Sequence, residues 1–578
     1  MSRRPLLRHP PSSVRPQRRR SGIITVLAAV LLVVLFGFIA FAVDTGMILM
    51  TQTNMQNAVD AASLAASQEI TNFIYSAGES QSDATVDESS LAVANARAMA
   101  AEVALANGVY IDPAADVQFG KRVYDSGTNT WPIQWGVEPY NVVKVVARRD
   151  NTDTSAADGQ LKLNFGWALG KSSVTLETSS TAFVESRDIV VVLDFSSSMN
   201  DDSCIRSFGT LGQSAVEANL DEIWDTLVAA APTWPNTTES KFPSTGFGNV
   251  NSYYGTYLSS STTSTIYSNL GLGATLNGQP RYPFPQAGKD SSGNAKSRPG
   301  SSTNQDLWYG YINYVKNLSG SYNKRYGYRT LLNYLMEDKE QNHTAEDLWR
   351  TNHYPFDAIK EGCSLFTDFL DDLQYGDEVG LVSYADTARV EDTLNEDGYA
   401  INLSADPITS DYAAVDAIQR HKQAGHYTSN TGIGYGVKEA RLMLQNNSRF
   451  GARRTMLLMT DGLANKYPSG WSLPAGWSWA ELTDYDGDGD SDYSTSDKSK
   501  QYAFYEVKQA IDAGITIHTM SVGAGADRDF MEAVAFAAGG TWIDVPGGST
   551  VATMQSQLLE AFSEIAAKVP AAKLTYED

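Results

Sequence analysis

Residues 189–193, Ile-Val-Val-Val-Leu, form an uninterrupted apolar run that reads as a buried strand. Asp194-Phe195-Ser196-Ser197-Ser198-Met199 follows it directly. One carboxylate and two hydroxyls therefore leave a strand end at alternate positions, and a tight turn can aim them at one point. Hard oxygen donors of this kind suit Mg²⁺, which prefers octahedral geometry and retains waters. Asp and Ser are also ordinary turn residues, so a polar turn closing the strand is the plain alternative. A second apolar run, residues 455–459, ends in Thr460-Asp461-Gly462. From residue 356 onward, strands at 378–385, 388–393, 455–460, 515–522 and 541–545 alternate with helices at 356–373, 412–422, 431–445, 502–513, 528–538 and 551–568. That order predicts an α/β fold, a doubly wound, mostly parallel sheet. Ligands of such sheets bind beyond the carboxyl ends of the strands, where Asp194 and Asp461 stand.

The D-x-S-x-S spacing of Asp194, Ser196 and Ser198 resembles the metal-ion-dependent adhesion site of von Willebrand factor type A domains. Thr460-Asp461-Gly462 resembles the family's T-D-G, and Thr431-Gly432-Ile433-Gly434-Tyr435-Gly436-Val437 resembles the loop that supplies its metal-binding Thr. The resemblance implies that Ser196, Ser198 and Thr431 touch Mg²⁺ or another divalent cation directly. Asp194 and Asp461 would bind it directly or through water. Few direct carboxylates leave the ion electrophilic, with a position open to an Asp or Glu carboxylate of a protein or surface partner. Thr428 remains the alternative to Thr431, because this loop departs from the usual Gly-Gly-Thr.

Residues 1–20 hold seven Arg and no acid, although the whole chain carries a net charge of −23. The acidic remainder would repel phosphate, so nucleic acid is not the expected partner. An apolar run at residues 23–43 follows the arginines, long enough to span the hydrocarbon layer as a helix. The flanking arginines predict a cytoplasmic basic tail (1–20), a transmembrane helix (21–43) and an extracytoplasmic remainder in a bacterial envelope. A cleaved signal peptide is the rival reading, disfavoured by the length of the run and the lack of a clear small-x-small site after it. Gly22, Asp44-Thr45-Gly46 and Asp60-Ala61-Ala62-Ser63-Leu64-Ala65 resemble the N-terminal layout of TadG-like proteins of the tight-adherence (Flp) pilus system. Prepilin-type cleavage after Gly22 is not expected, since Leu27 stands where an acid would be wanted.

Composition divides the rest. Residues 44–108 read as a helical stalk broken near 76–90, and 109–186 as a small β-rich domain of short strands. Residues 187–568 form the type A domain, interrupted by an insertion at 200–354, and 569–578 are a tail. The insertion is too long for a simple loop and too aromatic for a clean linker; it leaves the metal-site turn itself and is expected to fold over or beside that face.

Asp484, Asp486, Asp488, Asp490 and Asp492 form a second candidate, for Ca²⁺. Asp484, Asp486 and Asp488 occupy positions one, three and five of a calcium loop and Gly489 position six, but position twelve is Thr495 rather than Glu. A solvated acidic loop is the alternative. Cys204 and Cys363 could pair outside the cytoplasm, but Cys363 lies on an apolar helix face, which favours a buried thiol. No phosphate loop or nucleophile elbow occurs, so no enzyme is expected. The expected function is membrane-anchored binding, in pilus assembly or surface adhesion. The alternatives are a structural envelope protein whose metal only stabilises the fold and, remotely, a serine hydrolase using Ser196 or Ser198.

Overall fold

The computed structural model describes residues 21–79, 88–286, 298–342, 344–373, 375–546 and 573–575. The expected basic tail (1–20) and helix at 551–568 lie outside them.

Helix α1 (Ser21–Glu79) continues without a break from the apolar run into the alanine-rich segment. Its first part presents apolar side chains outward on all sides, from Ile24 to Val43. One helix is thus long and apolar enough to cross a membrane. Its later part is not a free stalk. Met55, Val59, Ala62, Ala66 and Ile70 pack with Ala96, Ala100 and Ala104 of α2 (Glu88–Ala106) and with an antiparallel sheet. The four-residue spacing of small alanines puts them on one face and lets the two helices approach closely.

That sheet contains β1 (Val117–Arg122), β2 (Ile133–Trp135), β3 (Val142–Arg149) and β6 (Leu176–Phe183), with a small hairpin, β4 (Leu161–Lys162) and β5 (Ser173–Val174), beside it. The helices and the β-rich segment therefore share one core. Residues 573–575, expected as tail, pair antiparallel with β6 and close one edge of this sheet.

β7 (Arg187–Asp194) is buried along its whole length. It lies at the centre of a six-stranded sheet with β8 (Glu378–Tyr384), β9 (Ala388–Val390), β10 (Arg453–Thr460), β11 (Thr516–Val522) and β12 (Trp542–Val545). The order is β9-β8-β7-β10-β11-β12, all parallel except the edge strand β9. Strand alternation explains why β7 carries no polar face. Ile189, Val191 and Leu193 meet α6 (Phe356–Leu373) and α7 (Tyr412–Arg420) on one side. Val190 and Val192 meet α8 (Ile433–Asn447), α9 (Lys498–Asp512) and α10 (Arg528–Ala537) on the other. The sheet is doubly wound, as the alternation of strands and helices predicted.

The insertion is a folded unit. Helices α3 (Gln213–Ala230), α4 (Ser301–Asn317) and α5 (Tyr328–Glu337) enclose a core that includes Trp224, Trp308, Tyr311, Tyr326 and Leu331. Cys204 belongs to that core and Cys363 to the core beneath α6 and α7; both are buried free thiols, and burial raises the pKa of each.

Candidate metal site at the strand ends

The turn after β7 folds back on its own carboxylate. Ser196 N donates to Asp194 Oδ1 at 2.8 Å, which brings Ser196 and then Ser198 over the strand end. Their hydroxyls lie 3.0 Å apart, and Ser198 Oγ donates to Asp461 Oδ1 at 2.9 Å. Thr460 Oγ1 donates to Asp194 Oδ2 at 2.7 Å and accepts from Gly462 N at 3.2 Å. The parallel register of β7 and β10, Val192 opposite Leu458, sets these two strand ends side by side.

Thr431 closes the group from the N-terminus of α8. Its N–H donates to Asn465 Oδ1 at 2.7 Å, and Asn465 N returns a bond to Thr431 O at 3.0 Å. A Cβ added to Gly462 would lie 3.2 Å from Ser198 Oγ and 3.6 Å from Thr431 Oγ1. Glycine there leaves room between the two hydroxyls. Thr428 does other work: its Oγ1 accepts from Asp386 N at 3.0 Å. Asp386 in turn receives Asn430 N and Nδ2 at 3.1 and 2.8 Å and pairs with Lys466 at 2.8 Å. Partial burial pushes the Asp386 carboxyl up, but the bonds from Lys466 and Asn430 outweigh it and hold it at about 2.

Asp194, Ser196, Thr431 and Asp461 are buried, while Ser198 is half-buried and opens the group to solvent. Among the described residues, neither Asp194 nor Asp461 pairs with a basic side chain. Burial raises the pKa of Asp194. It raises that of Asp461 well above the usual range, and the neighbouring Asp194 charge adds to this. Two buried carboxylates with hydroxyls between them form an all-oxygen donor set. Such a set fits a hard divalent cation, which would supply the missing positive charge.

The insertion grips the loops around this group. Glu340 Oε1 accepts from Ser429 Oγ at 2.8 Å, and Ser429 O accepts from Ser197 N and Oγ at 3.3 and 3.1 Å. Gln423 Nε2 donates to Glu340 O at 3.0 Å, and Ala424 N to His353 Nε2 at 3.1 Å. The insertion therefore stands beside the site and braces the loop that leads to Thr431. Asp386, Asn465 and Glu340 have no signature in the sequence, because each acts on a loop distant along the chain. Thr460 could have been found from the Thr-Asp-Gly motif itself.

Oxygens of Asp484, Asp486 and Asp492 lie within 4.8 Å of one another, but Asp488 and Asp490 do not join them. Asp484 already accepts from Gly487 N, Asp488 N and Gly489 N at 2.7, 3.1 and 2.9 Å, and Asp492 from Tyr485 N at 2.5 Å.

A six-stranded, mostly parallel sheet with helices on both faces has the von Willebrand factor type A fold. It is joined here to a TadE/G-like N-terminal segment: residues 22–69 match the family model described as putative Flp pilus-assembly TadE/G-like. The chain is also similar in part to solved structures. One is an aerotolerance-related membrane protein from Bacteroides fragilis NCTC 9343 with multiple mutations to serines, at 14% identity over 37% of this chain and 88% of that one, TM-score 0.24. A von Willebrand factor type A protein from Catenulispora acidiphila gives 18% identity over 37% and 38%, TM-score 0.24. The vWF domain of the type V pili tip protein Mfa5 from Porphyromonas gingivalis gives 15% over 37% and 88%, TM-score 0.25. Strand order, strand direction and the two helix layers define the fold; these likenesses accompany it. No curated protein gives a significant match.

Proposed function

We propose that this chain is an envelope-anchored binding protein that captures a protein or surface partner through a metal ion, in pilus assembly or adhesion. Asp194, Ser196, Ser198, Thr431 and Asp461 would hold Mg²⁺, and a partner's carboxylate would complete its coordination. The observation that carries this reading is the pair of buried strand-end carboxylates without a basic partner, reached through the half-buried Ser198. Buried charges of like sign are costly unless a cation compensates them. The pilus context is supported by the family match at residues 22–69. Residues 21–43 of α1 would cross the cytoplasmic membrane with the basic tail inside and the rest of the chain outside. The loop at Asp484, Asp486 and Asp492 would bind Ca²⁺ as a local brace.

A pull-down with the intact protein in detergent, with Mg²⁺ and with a chelator, tests the reading. Retention of envelope or pilus proteins only with Mg²⁺ supports it. Retention unaffected by chelator and by Asp461→Ala would leave the metal, if bound, as a purely structural ion. Protease added outside spheroplasts should digest the protein beyond Asp44; protection of the type A domain would reverse the orientation.

A further inference from the structure

We propose that the tip of the β4–β5 hairpin rests in the headgroup layer of the same bilayer that α1 crosses, as a second point of membrane attachment. This rests on α1 being a membrane span. Asp44 is the first charged residue after the apolar run, and its side chain is buried. Asn164 N donates to Asp44 Oδ1 at 2.9 Å and Phe165 N to Asp44 Oδ2 at 3.0 Å, so the hairpin tip is tied to the helix where the span ends. Asn164 Nδ2 also lies 3.6 Å from Met47 Sδ, one turn further along.

Depth follows from the geometry. The headgroup layer is roughly 5–8 Å thick on each side of the hydrocarbon. Asp44 to Met47 covers about 4.5 Å of helix axis. The tip is thus held within that layer. What it exposes suits the place: Trp167 is 70% and Phe165 42% exposed, uncovered by any of the described residues. Aromatic rings of this kind settle at membrane–water interfaces. On α1, Leu49 and Met50 are also exposed, and no charged residue occurs between Asp44 and Asp60. The hairpin is basic in an acidic protein. Lys162 and Lys171 are exposed, and no acid lies between Asp158 and Glu177, so no carboxylate there repels lipid phosphate. A span plus a seated hairpin fixes the tilt of the N-terminal sheet on the membrane, where a single helix would leave it free to swivel.

The test uses the full chain in bilayer nanodiscs containing anionic lipid. An environment-sensitive fluorophore is placed on single introduced cysteines; Cys204 and Cys363 are fully buried and stay unlabelled in the folded protein. Labels at Trp167→Cys and Lys171→Cys are expected to be quenched several-fold more by lipids bearing a nitroxide near the headgroup than by lipids bearing it at the chain end. A label at Leu276→Cys, on the insertion, should be quenched by neither. A label at Val33→Cys should be quenched by the deep nitroxide. Unquenched labels at 167 and 171 alongside a quenched Val33→Cys would overturn the hairpin contact and leave the span standing. An unquenched Val33→Cys would overturn both.

Discussion

The carboxylates of Asp194 and Asp461 are delivered by the ends of two adjacent buried strands, whereas those of Asp484, Asp486 and Asp492 hang on one mostly exposed loop. In the first group, burial raises the pKa of both acids and the Asp194 charge raises that of Asp461 further, and their hydrogen-bond partners are mainly side-chain hydroxyls that could turn to a metal. In the second, backbone N–H groups of the same loop already occupy the carboxylates, and water reaches the rest. A cluster of acids is therefore not in itself a demand for a cation. Burial without a basic partner creates that demand; exposure with local hydrogen bonds removes most of it.

The largest effect is expected from breaking the buried group. Asp194→Ala or Asp461→Ala should weaken Mg²⁺ binding, read by calorimetry, by more than roughly 100-fold, beyond the range that outer-shell changes usually cost. Partner capture should fall with it. Folding should survive, because both residues lie at strand ends and neither belongs to the apolar clusters on the two faces of the sheet. Undiminished Mg²⁺ affinity in both variants would place the ion elsewhere.

A pH series sharpens the same contrast. With raised folded-state pKa values, Asp194 and Asp461 retain protons in the folded metal-free protein at pH values where the unfolded chain has lost them. Their contribution is thus full below the ordinary carboxylate range and is lost as pH rises through the raised folded values. Metal-free melting temperature should fall as pH rises from about 4, and Mg²⁺ should restore it at neutral pH. Asp201, Asp357 and Glu378, pushed up to about 6, 6 and 7 mainly by burial, act with the same sign. The comparison is therefore with Asp461→Asn, whose metal-free slope should be shallower. Identical slopes would mean that Asp461 bears no buried charge.

The type A strands were readable because each is a short apolar run bounded by turn residues, and the site because Asp194, Ser196 and Ser198 are adjacent in sequence. Helices α4 and α5 were not anticipated within the insertion. Their buried faces mix aromatic and aliphatic residues at helical spacing, Trp308, Tyr311, Ile312 and Val315 in one and Tyr328, Leu331, Leu332 and Leu335 in the other, but the glycine-, serine- and asparagine-rich stretches around them obscured it. Tyr311 carries its hydroxyl into the core and satisfies it on Thr330 at 3.0 Å. The pairing of residues 573–575 with β6 was equally hidden, since a three-residue edge strand has no pattern of its own. Asp386, Asn465 and Glu340 escaped because their roles exist only after distant loops meet.

A smaller effect separates the two threonines beside the buried group. Thr431→Ala removes a hydroxyl that faces Gly462 and Ser198, and should cost roughly 10- to 100-fold in Mg²⁺ affinity, the range for one interaction with a charged centre. Thr428→Ala removes one neutral bond to the Asp386 amide and should change affinity by less than about tenfold. The reverse order would move the ligand to Thr428 and leave the rest of the site intact.

The smallest effect is expected at the exposed loop, where it also tests whether the comparison is drawn in the right place. Wild-type protein titrated with Ca²⁺ at fixed Mg²⁺ should show a modest rise in melting temperature, because any binding to the folded loop adds stability by mass action. Converting Asp484, Asp486 and Asp492 together to Asn should abolish that rise while leaving Mg²⁺ affinity at the strand ends unchanged. Asp488→Asn and Asp490→Asn should matter less, since their oxygens stand outside the group of three. No Ca²⁺ response in the wild type would show that the backbone N–H groups of the loop already satisfy it. A response as large as the Mg²⁺ effect would show that five hydrogen bonds from the backbone do not suffice to quiet three neighbouring carboxylates, and that exposure protects an acidic cluster less than the buried pair implies.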